Sequence, residues 1–518
     1  MLFTFVSRAN IFYRVLILYL LFILFSSSAF SQEDLQIPPS ADEALEEELR
    51  YLKAETYVIT ASRVLENIKK SAASITVITD RQIRQMGARH LMDVLQTVPG
   101  MNYLYHYFGH HISYARGLPI PTAQRTLVMV NSHPLNENWS GGATWTHETM
   151  MLDNVKRIEI IRGPGSALYG ANAFAAVINI ITKEAEDIDG WELTTRAGSY
   201  DTQQYNLLYG KTFKDLEIVF NYNYFDTHGF NGHINEDMQT FLDRIFLTHA
   251  SLAPDRMKRD DEKYDGFLSL KYRGFKLEGK YVDRDQDNPV GLTPVLTNKN
   301  NFDKKDCYLN LSYERTFWEK LDFLGKVYRN HFSYLSDLQT FPPGAAQLTP
   351  LLLPVIMRKG VINILTAKNN RTGFEVQTTW KMSGSNTIVG GISYEEMKQY
   401  DVRRRANYLY TSSPLFIIPL FSLRYTTDIQ SANRSVKRNF KAFFIEDIWD
   451  IRDNLRLTVG ARYDDYSDFG DSLNPRAGLT WEFKKGYDLK LLYGSAFRAP
   501  SFVELYDSLM GDPDLDPE

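Results

Sequence analysis

The sequence predicts a transmembrane antiparallel β-barrel that follows a small α+β domain. Two observations carry this prediction. Between Trp191 and Ala496, about thirteen segments alternate apolar and polar residues with a period of two. The connections between these segments alternate between short turns and longer loops. In a transmembrane barrel the turns on one side of the membrane are short and the loops on the other side are long.

The alternation is clearest in residues 275–281. One face holds Phe275, Leu277, Gly279 and Tyr281, and the other holds Lys276, Glu278 and Lys280. Residues 216–224 and 309–314 follow the same pattern. The polar faces are too polar for the core of a β-sandwich but suit a wet lumen. We therefore expect the apolar faces to meet lipid.

The turn and loop signals separate two groups of connections. Short turns are predicted near 214–215, 273–274, 318–320, 383–385, 450–454 and 484–486. Longer connections are predicted at 227–263, 284–305, 332–372 and 398–437. A soluble sandwich or propeller, which is the alternative, has no reason to segregate its loops in this way.

Composition restricts the function classes. The formal net charge of −5 gives no argument for a nucleic-acid partner, which would want a concentrated basic face. The single cysteine, Cys307, excludes a disulfide framework and a thiolate metal cluster. The mean hydropathy of −0.32 is too low for a helical membrane protein, but a barrel that is polar inside can have such a value.

The N-terminus resembles a secretory signal. Arg8 and Arg14 precede an apolar run, residues 15–25, and small residues follow it. Cleavage after Ser31 is expected, so residues 1–31 would be removed on export. The alternative is a membrane anchor, but the run is shorter than the ~20 residues that a spanning helix needs. Residues 32–63 are then expected to form a polar leader.

Residues 64–186 mix helical and strand periods, which predicts a small α+β domain. A strand ends at Asp80, which is expected to cap a helix over residues 81–86 that Gly87 closes. A second short helix is predicted within residues 90–98. Buried strands are predicted at 125–131 and 155–161.

The glycine-rich stretch within residues 155–182 could be taken for a phosphate-binding loop. Its glycines do not fit G-x-x-x-x-G-K-[ST] or G-x-G-x-x-G. Pro164 also removes one backbone N–H that a phosphate nest would use. The glycines are therefore expected to turn the chain between two buried strands.

The same stretch, "VKRIEIIRGPGSALYGANAFAAVINIITK", resembles the plug-domain signature of TonB-dependent outer-membrane receptors. Further segments follow in that family's order: "ETYVITASR", similar to a TonB box, then "SAASITVITD", "LMDVLQTVPGM", "YARG" and "RTLVMVNSHPLNEN". Near the C-terminal end, "AFRAPSFVELY" and "DPDLDPE" resemble the FRAP and NPNL boxes of the barrel. The resemblance implies a plug inside a barrel of ~22 strands.

The resemblance also implies a coupling segment. The residues of the expected TonB box are Glu55, Thr56, Tyr57, Val58, Ile59, Thr60 and Ala61. This segment is expected to pair as an added strand with the TonB energy-coupling protein of the inner membrane. Such pairing depends on free backbone groups, so proline at Val58 or Ile59 is expected to be the most damaging change.

Two plug arginines match the family pattern, Arg116 before Gly117 and Arg162 before Gly163. The resemblance implies that they form a latch to carboxylates of the barrel wall, because guanidinium grips carboxylate bidentately. Glu446 and Glu482 are possible partners. The alternative is that each arginine lies on a solvated surface.

The sequence stops at Glu518, directly after the second box, whereas the family pattern continues through a closed barrel. Residues 187–518 are therefore expected to be an incomplete barrel domain without its last strands. We expect a fragment or a truncated gene product that does not transport by itself, since open edges in lipid are unfavourable.

Ligands in this family bind between the plug apices and the outer loops, so residues 102–114 and 132–148 are candidate contacts. The specific candidates are Tyr105, His106, Tyr107, His110, His111 and Trp139. Five of the ten histidines lie in these two segments, which would suit haem or a metal chelate. The stretch between the two barrel boxes has no histidine, which counts against haem. A ferric siderophore is the expected ligand and cobalamin the next alternative, with no resident metal or cofactor.

Two other classes fit less well. A passive porin or adhesin barrel should lack both box and plug. A soluble nucleotide-dependent enzyme should show a βαβ series and a catalytic constellation, and the sequence shows no Ser/His/Asp order and no metal-spaced Cys/His set. We expect a monomeric outer-membrane receptor that is not an enzyme.

Overall fold

A computed structural model of the protein describes residues 55–106, 109–119, 122–348, 354–410, 417–425, 435–507 and 511–518. The predicted signal peptide, most of the predicted leader and Tyr107 lie outside the described residues. Among the described residues, no helix is both long and apolar enough to cross a membrane.

The N-terminal domain is built on a five-stranded mixed sheet. Its strands and those beside it are β1 (Tyr57–Val58), β2 (Glu66–Asn67), β3 (Ile75–Thr79), β4 (Met101–Tyr105), β5 (His111–Ala115), β6 (Thr126–Val130), β7 (His133–Pro134), β8 (Val155–Arg162) and β9 (Ala176–Thr182). The sheet order is β3-β8-β9-β6-β7, and β6 runs parallel to β9. Strand β6 is buried throughout, as a continuous apolar run predicts. The predicted α+β domain is confirmed.

The short helices of this domain are α1 (Asp80–Gln85), α2 (Leu91–Leu95), α3 (Thr144–His147), α4 (Ser166–Tyr169) and α5 (Ala185–Ile188). Helices α1 and α2 share the apolar core of the sheet, whereas α3, α4 and α5 contact strands of the C-terminal part of the chain. The prediction that Asp80 caps α1 is wrong. Thr79 is the N-cap, because its hydroxyl accepts from the Gln82 N–H while the Gln82 side chain accepts from the Thr79 N–H. Asp80 instead lies in the first turn, where its charge favours the helix dipole.

The glycine-rich turn between β8 and β9 uses its own amides. The N–H groups of Gly163, Gly165 and Gly170 donate to backbone carbonyl oxygens of the same turn at 2.8–2.9 Å. Gly170 has a φ of +75°, and a Cβ at this position would lie 3.0 Å from the Arg462 guanidinium of the barrel wall. The glycines therefore allow a tight turn and a close approach to the barrel.

The C-terminal part of the chain forms one large antiparallel sheet. Its strands and the strands of its loops are β10 (Gly190–Gly198), β11 (Thr202–Phe213), β12 (Leu216–Thr227), β13 (His233–Ile234), β14 (Asp255–Arg256), β15 (Asp261–Tyr272), β16 (Phe275–Val290), β17 (Leu296–Phe317), β18 (Leu321–Phe341), β19 (Ala345–Leu348), β20 (Pro354–Met357), β21 (Val361–Lys381), β22 (Asn386–Tyr410), β23 (Ile417–Tyr425), β24 (Val436–Arg452), β25 (Leu455–Tyr466), β26 (Gly470–Lys484) and β27 (Tyr487–Gly494). The main path is β10-β11-β12-β15-β16-β17-β18-β21-β22-β24-β25-β26-β27, and each strand pairs with the next. The predicted thirteen strands are confirmed. In the described residues the path is open between β10 and β27.

The sheet has its polar face inside. In β16, Glu278 and Lys280 are buried, whereas Phe275 and Tyr281 are exposed. Strands β12 and β17 show the same pattern. Burial of the polar face and exposure of the apolar face is the arrangement of a barrel in lipid, as predicted.

The connections confirm the short turns but correct several loop bounds. All six predicted turns join adjacent strands with four residues or fewer between them. The predicted loop at 284–305 is mostly strand, because β16 continues to Val290 and β17 begins at Leu296. The strands at 332–372 and 398–437 also extend beyond the prediction. On the long-loop side, the connections 199–201 and 467–469 are short as well.

Strand length explains these differences. The 22 residues of β17 span roughly 70 Å at ~3.3 Å per residue, whereas the hydrocarbon layer is only ~30 Å thick. Beyond the lipid both faces of a strand can meet polar surroundings. The alternation therefore fades there although the hydrogen-bonded ladder continues.

Within the described residues, two helices lie outside the N-terminal domain: α6 (Met238–Phe246) in the loop between β12 and β15, and α7 (Phe502–Tyr506) after β27. Helix α7 docks on the N-terminal domain. The N–H groups of Phe502 and Val503 donate to the carbonyls of Asn138 and Trp139 at 3.1 and 3.0 Å. The segment that resembles the first barrel box therefore contacts one of the candidate ligand segments.

Candidate functional site

The N-terminal domain meets the inner wall of the sheet at two levels. The apical hairpin, which we define as residues 101–115 with strands β4 and β5, contacts β16 near the end that leads to the long-loop side. The box segment, residues 55–61, lies towards the side of the short turns, where neighbouring residues contact β21 and β25. The domain therefore presents a different surface to each side of the membrane.

The apical hairpin carries most of the predicted ligand contacts. Tyr105 is 43% exposed and lies under the guanidinium of Arg259, which is 4.6 Å from its ring centre. The His106 ring stacks on the His110 ring at 4.9 Å. His111 packs against Tyr105 at 5.0 Å. Burial lowers the pKa of both His106 and His111, because it disfavours the charged imidazolium.

The second predicted segment meets the hairpin through aromatic contacts. The ring of Trp145 lies 4.5 Å from that of His110 and 6.1 Å from that of Trp139. Trp139 also packs on Tyr334 of the barrel wall at 4.5 Å. His110 and Trp139 are almost fully buried. The structure thus brings the two predicted segments together, but it buries two of the predicted contacts, His110 and Trp139.

The five histidines of these segments do not converge on one point. His133 is buried against Tyr308, with ring centres 4.1 Å apart, and contacts Asn330 at 3.0 Å. His147 is buried near Asp306. Burial holds the pKa of each of these two imidazoles well below its usual range. In the part of the chain that the structure describes, no group of three His, Cys, Asp or Glu side chains is arranged to hold a metal ion.

The box segment is held by the N-terminal domain itself. Val58, Thr60 and Ala61 are fully buried. One carboxylate oxygen of Glu159 accepts hydrogen bonds from the Ile59 N–H at 3.0 Å, the Thr60 N–H at 2.9 Å and the Thr60 hydroxyl at 2.6 Å. The Tyr169 hydroxyl donates to the Thr60 carbonyl at 2.9 Å. Backbone groups that strand addition would use are therefore already occupied.

The residues after the box are tied to the barrel wall. Arg63 forms an ion pair with Glu375 of β21, and Arg456 of β25 donates to Glu66 at 2.9 Å. The ammonium of Lys490 on β27 donates to the carbonyls of Ile68 and Ser71, both at 2.8 Å. The entry to the domain is therefore anchored on several barrel strands by charged groups.

The two predicted latch arginines bond to the N-terminal domain. Arg116 donates to the Arg162 carbonyl at 3.0 Å, and Arg162 donates to the Pro99 carbonyl at 3.2 Å. Among the described residues neither suggested carboxylate meets them, since Glu446 pairs with Arg476 at 2.6 Å and Glu482 caps the β26–β27 turn. Gly163 is required beside Arg116, because its φ is +133° and a Cβ would lie 3.0 Å from the guanidinium. The latch to the wall stays a prediction.

A polar cavity of about 110 Å³ separates the N-terminal domain from the wall. Charged side chains dominate its lining: Arg63, Glu137, Arg371, Glu375, Glu395, Arg438 and Arg462. Most of these charges have a partner of opposite sign, such as Arg438 with Asp468 at 2.8 Å. Burial raises the pKa of Glu137 to about 7. The interface between the N-terminal domain and the barrel wall therefore consists here of paired charged side chains rather than of apolar ones.

Two family models match this arrangement. The model described as TonB dependent receptor-like, beta-barrel matches residues 247–518, and the model described as TonB-dependent Receptor Plug Domain matches residues 67–177. The chain belongs to the TonB-dependent receptor family. The N-terminal domain is its plug, and the protein is an outer-membrane receptor.

Similar proteins include the vitamin B12 transporter BtuB of Vibrio vulnificus (strain CMCP6), which is 23% identical over 470 residues. That match covers 90% of this chain and 66% of the transporter. Among solved structures, the ferric enterobactin receptor PfeA of Pseudomonas aeruginosa matches with a TM-score of 0.58 at 17% identity, covering 87% of this chain and 68% of that chain. The ferric-catecholate import receptor Fiu of E. coli K12 matches with a TM-score of 0.58 at 15% identity, covering 86% and 73%. These structural matches show the fold alone, and this receptor chain spans about two thirds of the transporter's length.

Several residues of the receptor site were missed by sequence reasoning. Glu159 gave one signal, because it is an acidic residue inside an otherwise apolar buried strand and such a carboxylate needs partners. Glu148, Arg284 and Lys490 gave no local signal, since charged residues are common on the polar face of any barrel strand or in a loop. Only their contacts reveal a role.

Proposed function

We propose that the receptor takes up a scarce nutrient by TonB-dependent transport, and that the nutrient is a ferric siderophore. One observation carries the proposal. A single plug exposes an aromatic hairpin beneath the Arg259 guanidinium on the long-loop side and holds a strand-forming box on the short-turn side. In outer-membrane barrels the long loops are extracellular and the short turns periplasmic. Ligand and energy-coupling protein would then engage the same domain from opposite sides.

The chemistry of the apical hairpin and of the loop residue Arg259 supports an anionic aromatic chelate. The phenol ring of Tyr105 and the guanidinium of Arg259 are stacked and reachable from the long-loop side. Aromatic rings and guanidinium groups together suit a ligand that combines π-faces with negative charge. Solved receptors of similar fold include proteins named for ferric enterobactin and for ferric catecholates.

Cobalamin is the second candidate ligand. The observation that favours it is the similarity to a vitamin B12 transporter over 90% of this chain. Haem is less favoured, because His110, His133 and His147 are buried among plug and barrel side chains rather than facing a common ligand.

The proposal is tested by uptake into cells that lack other receptors for the probes. We expect radio-iron-loaded enterobactin to enter cells that express the complete receptor with a closed barrel, and radio-cobalt cyanocobalamin to enter poorly. Val58→Pro should abolish uptake, because proline removes a backbone donor from the box. Val58→Ala keeps that donor and serves as the matched control. Uptake of neither probe, or full uptake with Val58→Pro, would contradict the proposal.

A further inference from the structure

We infer that Glu148 is a positioning residue for the apical hairpin, acting together with Arg284 and Gln286 of the barrel wall. The consequence of this positioning for ligand binding rests on the proposed function, whereas the positioning itself does not. Glu148 follows helix α3 in the plug, and its side chain is fully buried. A buried carboxylate is retained at low cost only where its oxygens are satisfied.

Glu148 joins the hairpin to the wall through its two oxygens. One oxygen accepts a hydrogen bond from the His111 backbone N–H at the start of β5. The other accepts from the Arg284 guanidinium on β16 at 2.6 Å. A single side chain thus links a backbone group of the hairpin to a fully buried cation of the barrel.

The inward row of β16 holds the hairpin tip directly. Gln286 donates to the Gly109 carbonyl at 2.6 Å. The next inward residue, Asn288, lies so close that a Cβ at Gly109 would be 3.0 Å from its amide oxygen. Arg284, Gln286 and Asn288 are two residues apart, so they share one face of the strand. Gly109 is therefore held against this row by its carbonyl and by the close approach of Asn288.

The same network reaches the extracellular loop at 228–260. Arg284 grips Asp261, the first residue of β15, with two hydrogen bonds of 2.9 and 2.7 Å. Two positions earlier, Arg259 lies over the Tyr105 ring. The hairpin is linked to Arg284 through Glu148, and the loop is linked to Arg284 through Asp261. Glu148 therefore sets the position of Tyr105 relative to Arg259. Those are the two groups that the proposed ligand would meet.

Glutamate is specifically suited to this position. Glutamine has only one acceptor oxygen, so its amide group would face one of the two donors. Aspartate is one methylene shorter and cannot reach both. In a Glu148→Gln variant Arg284 keeps its bidentate partner Asp261, so no buried charge is left unpaired and the fold should be retained.

The test compares amide hydrogen exchange in the complete receptor, purified into lipid vesicles. We expect Glu148→Gln to accelerate exchange in residues 109–115 about tenfold, because a charge-assisted bond is lost. Exchange in β9 should not change. The matched control is Asp153→Asn, which also removes a plug carboxylate paired with a barrel arginine, here Arg196 at 2.8 Å, away from the hairpin. Unchanged exchange in Glu148→Gln, or equal acceleration in Asp153→Asn, would overturn the inference.

Ligand measurements extend the test. For ferric enterobactin we expect Glu148→Gln to raise the concentration for half-maximal uptake about tenfold at an unchanged maximal rate, since the box is untouched. A general loss of structure would lower the maximal rate as well and would count against a positioning role. If wild-type receptor binds neither ferric enterobactin nor cyanocobalamin, the proposed function fails alone, because the exchange comparison needs no ligand.

Discussion

Replacing Glu159 with glutamine should release the box segment from the plug. The carboxylate lies beneath the box and accepts the N–H groups of Ile59 and Thr60 at 3.0 and 2.9 Å, in addition to the Thr60 hydroxyl. Its other oxygen accepts from Arg157 at 2.8 Å. Glutamine has a similar shape but no charge, and it offers a single acceptor oxygen.

The magnitude follows from the number of bonds that change. A hydrogen bond to a charged group contributes about 1.5–3 kcal/mol, and one between neutral groups about 0.5–1.5 kcal/mol. Weakening the two backbone bonds by roughly 1 kcal/mol each lowers the free energy of box release by about 2 kcal/mol. This corresponds to an increase of roughly 30-fold in the released population at 1.36 kcal/mol per factor of ten.

Amide hydrogen exchange at Ile59 and Thr60, measured on the receptor in lipid, reports this population directly. We expect both amides to exchange roughly 30-fold faster in Glu159→Gln, with β9 unchanged. Glu184→Gln alters another plug carboxylate that bonds near its own helix, and it should leave the box unaffected. Exchange at the wild-type rate would refute the reasoning. Equal acceleration across the plug sheet would refute it too, since it would indicate general destabilisation.

Three further predictions concern the plug and its seat in the barrel. When the N-terminus is pulled in single-molecule force measurements, Lys490→Ala should release a longer stretch of chain than wild type, because the Lys490 ammonium binds plug carbonyls at 2.8 Å. Lys485→Ala, in the adjacent turn, is the control, and equal extraction lengths in the two variants would refute the anchor. Gly478→Ala should weaken plug docking by about 1–3 kcal/mol, because the added Cβ would lie 2.5 Å from the Ala72 side chain of the plug. A protease-protection assay under urea measures this docking, with Gly384→Ala as the control because a Cβ there meets open space. Equal protection of the two variants would contradict the clash. Burial lowers the pKa of His90 to about 4, so its contribution to stability is complete above its unfolded pKa of ~6.5 and is lost as the pH falls towards 4. Exchange in the apical hairpin, corrected for intrinsic rates, should therefore rise between pH 7 and pH 5 and rise less in His90→Asn; an identical pH dependence in both would contradict this origin.

Much of the architecture could be predicted from local pattern. The exposed and buried faces of β12, β16 and β17 follow directly from the period of two, because a residue's face in a strand depends only on its parity. The short turns were located because turn residues interrupt the pattern. The order of motifs from residue 55 to residue 518 indicated the family, and the family models confirm it.

The strand ends were harder to predict. Beyond the lipid, the β16 and β17 ladder continues through polar residues that a loop could also contain. Whether such residues form a strand depends on backbone hydrogen bonds to the adjacent strand. The local sequence does not show which segment that adjacent strand will be. The same limit explains the N-cap of α1, where the choice between Thr79 and Asp80 depended on which side chain Gln82 could reach.

Periodicity and motif order were enough to predict the barrel and the plug, and the family models confirm both. Which polar and charged groups meet depends instead on the tertiary fold. Glu148 and Arg284 are 136 positions apart, and Thr60 and Glu159 are 99 apart. Each of these residues is one acceptable polar choice among many until the plug is seated in the barrel. A buried charge is specified by its partner, and that partner is brought to it only by the fold.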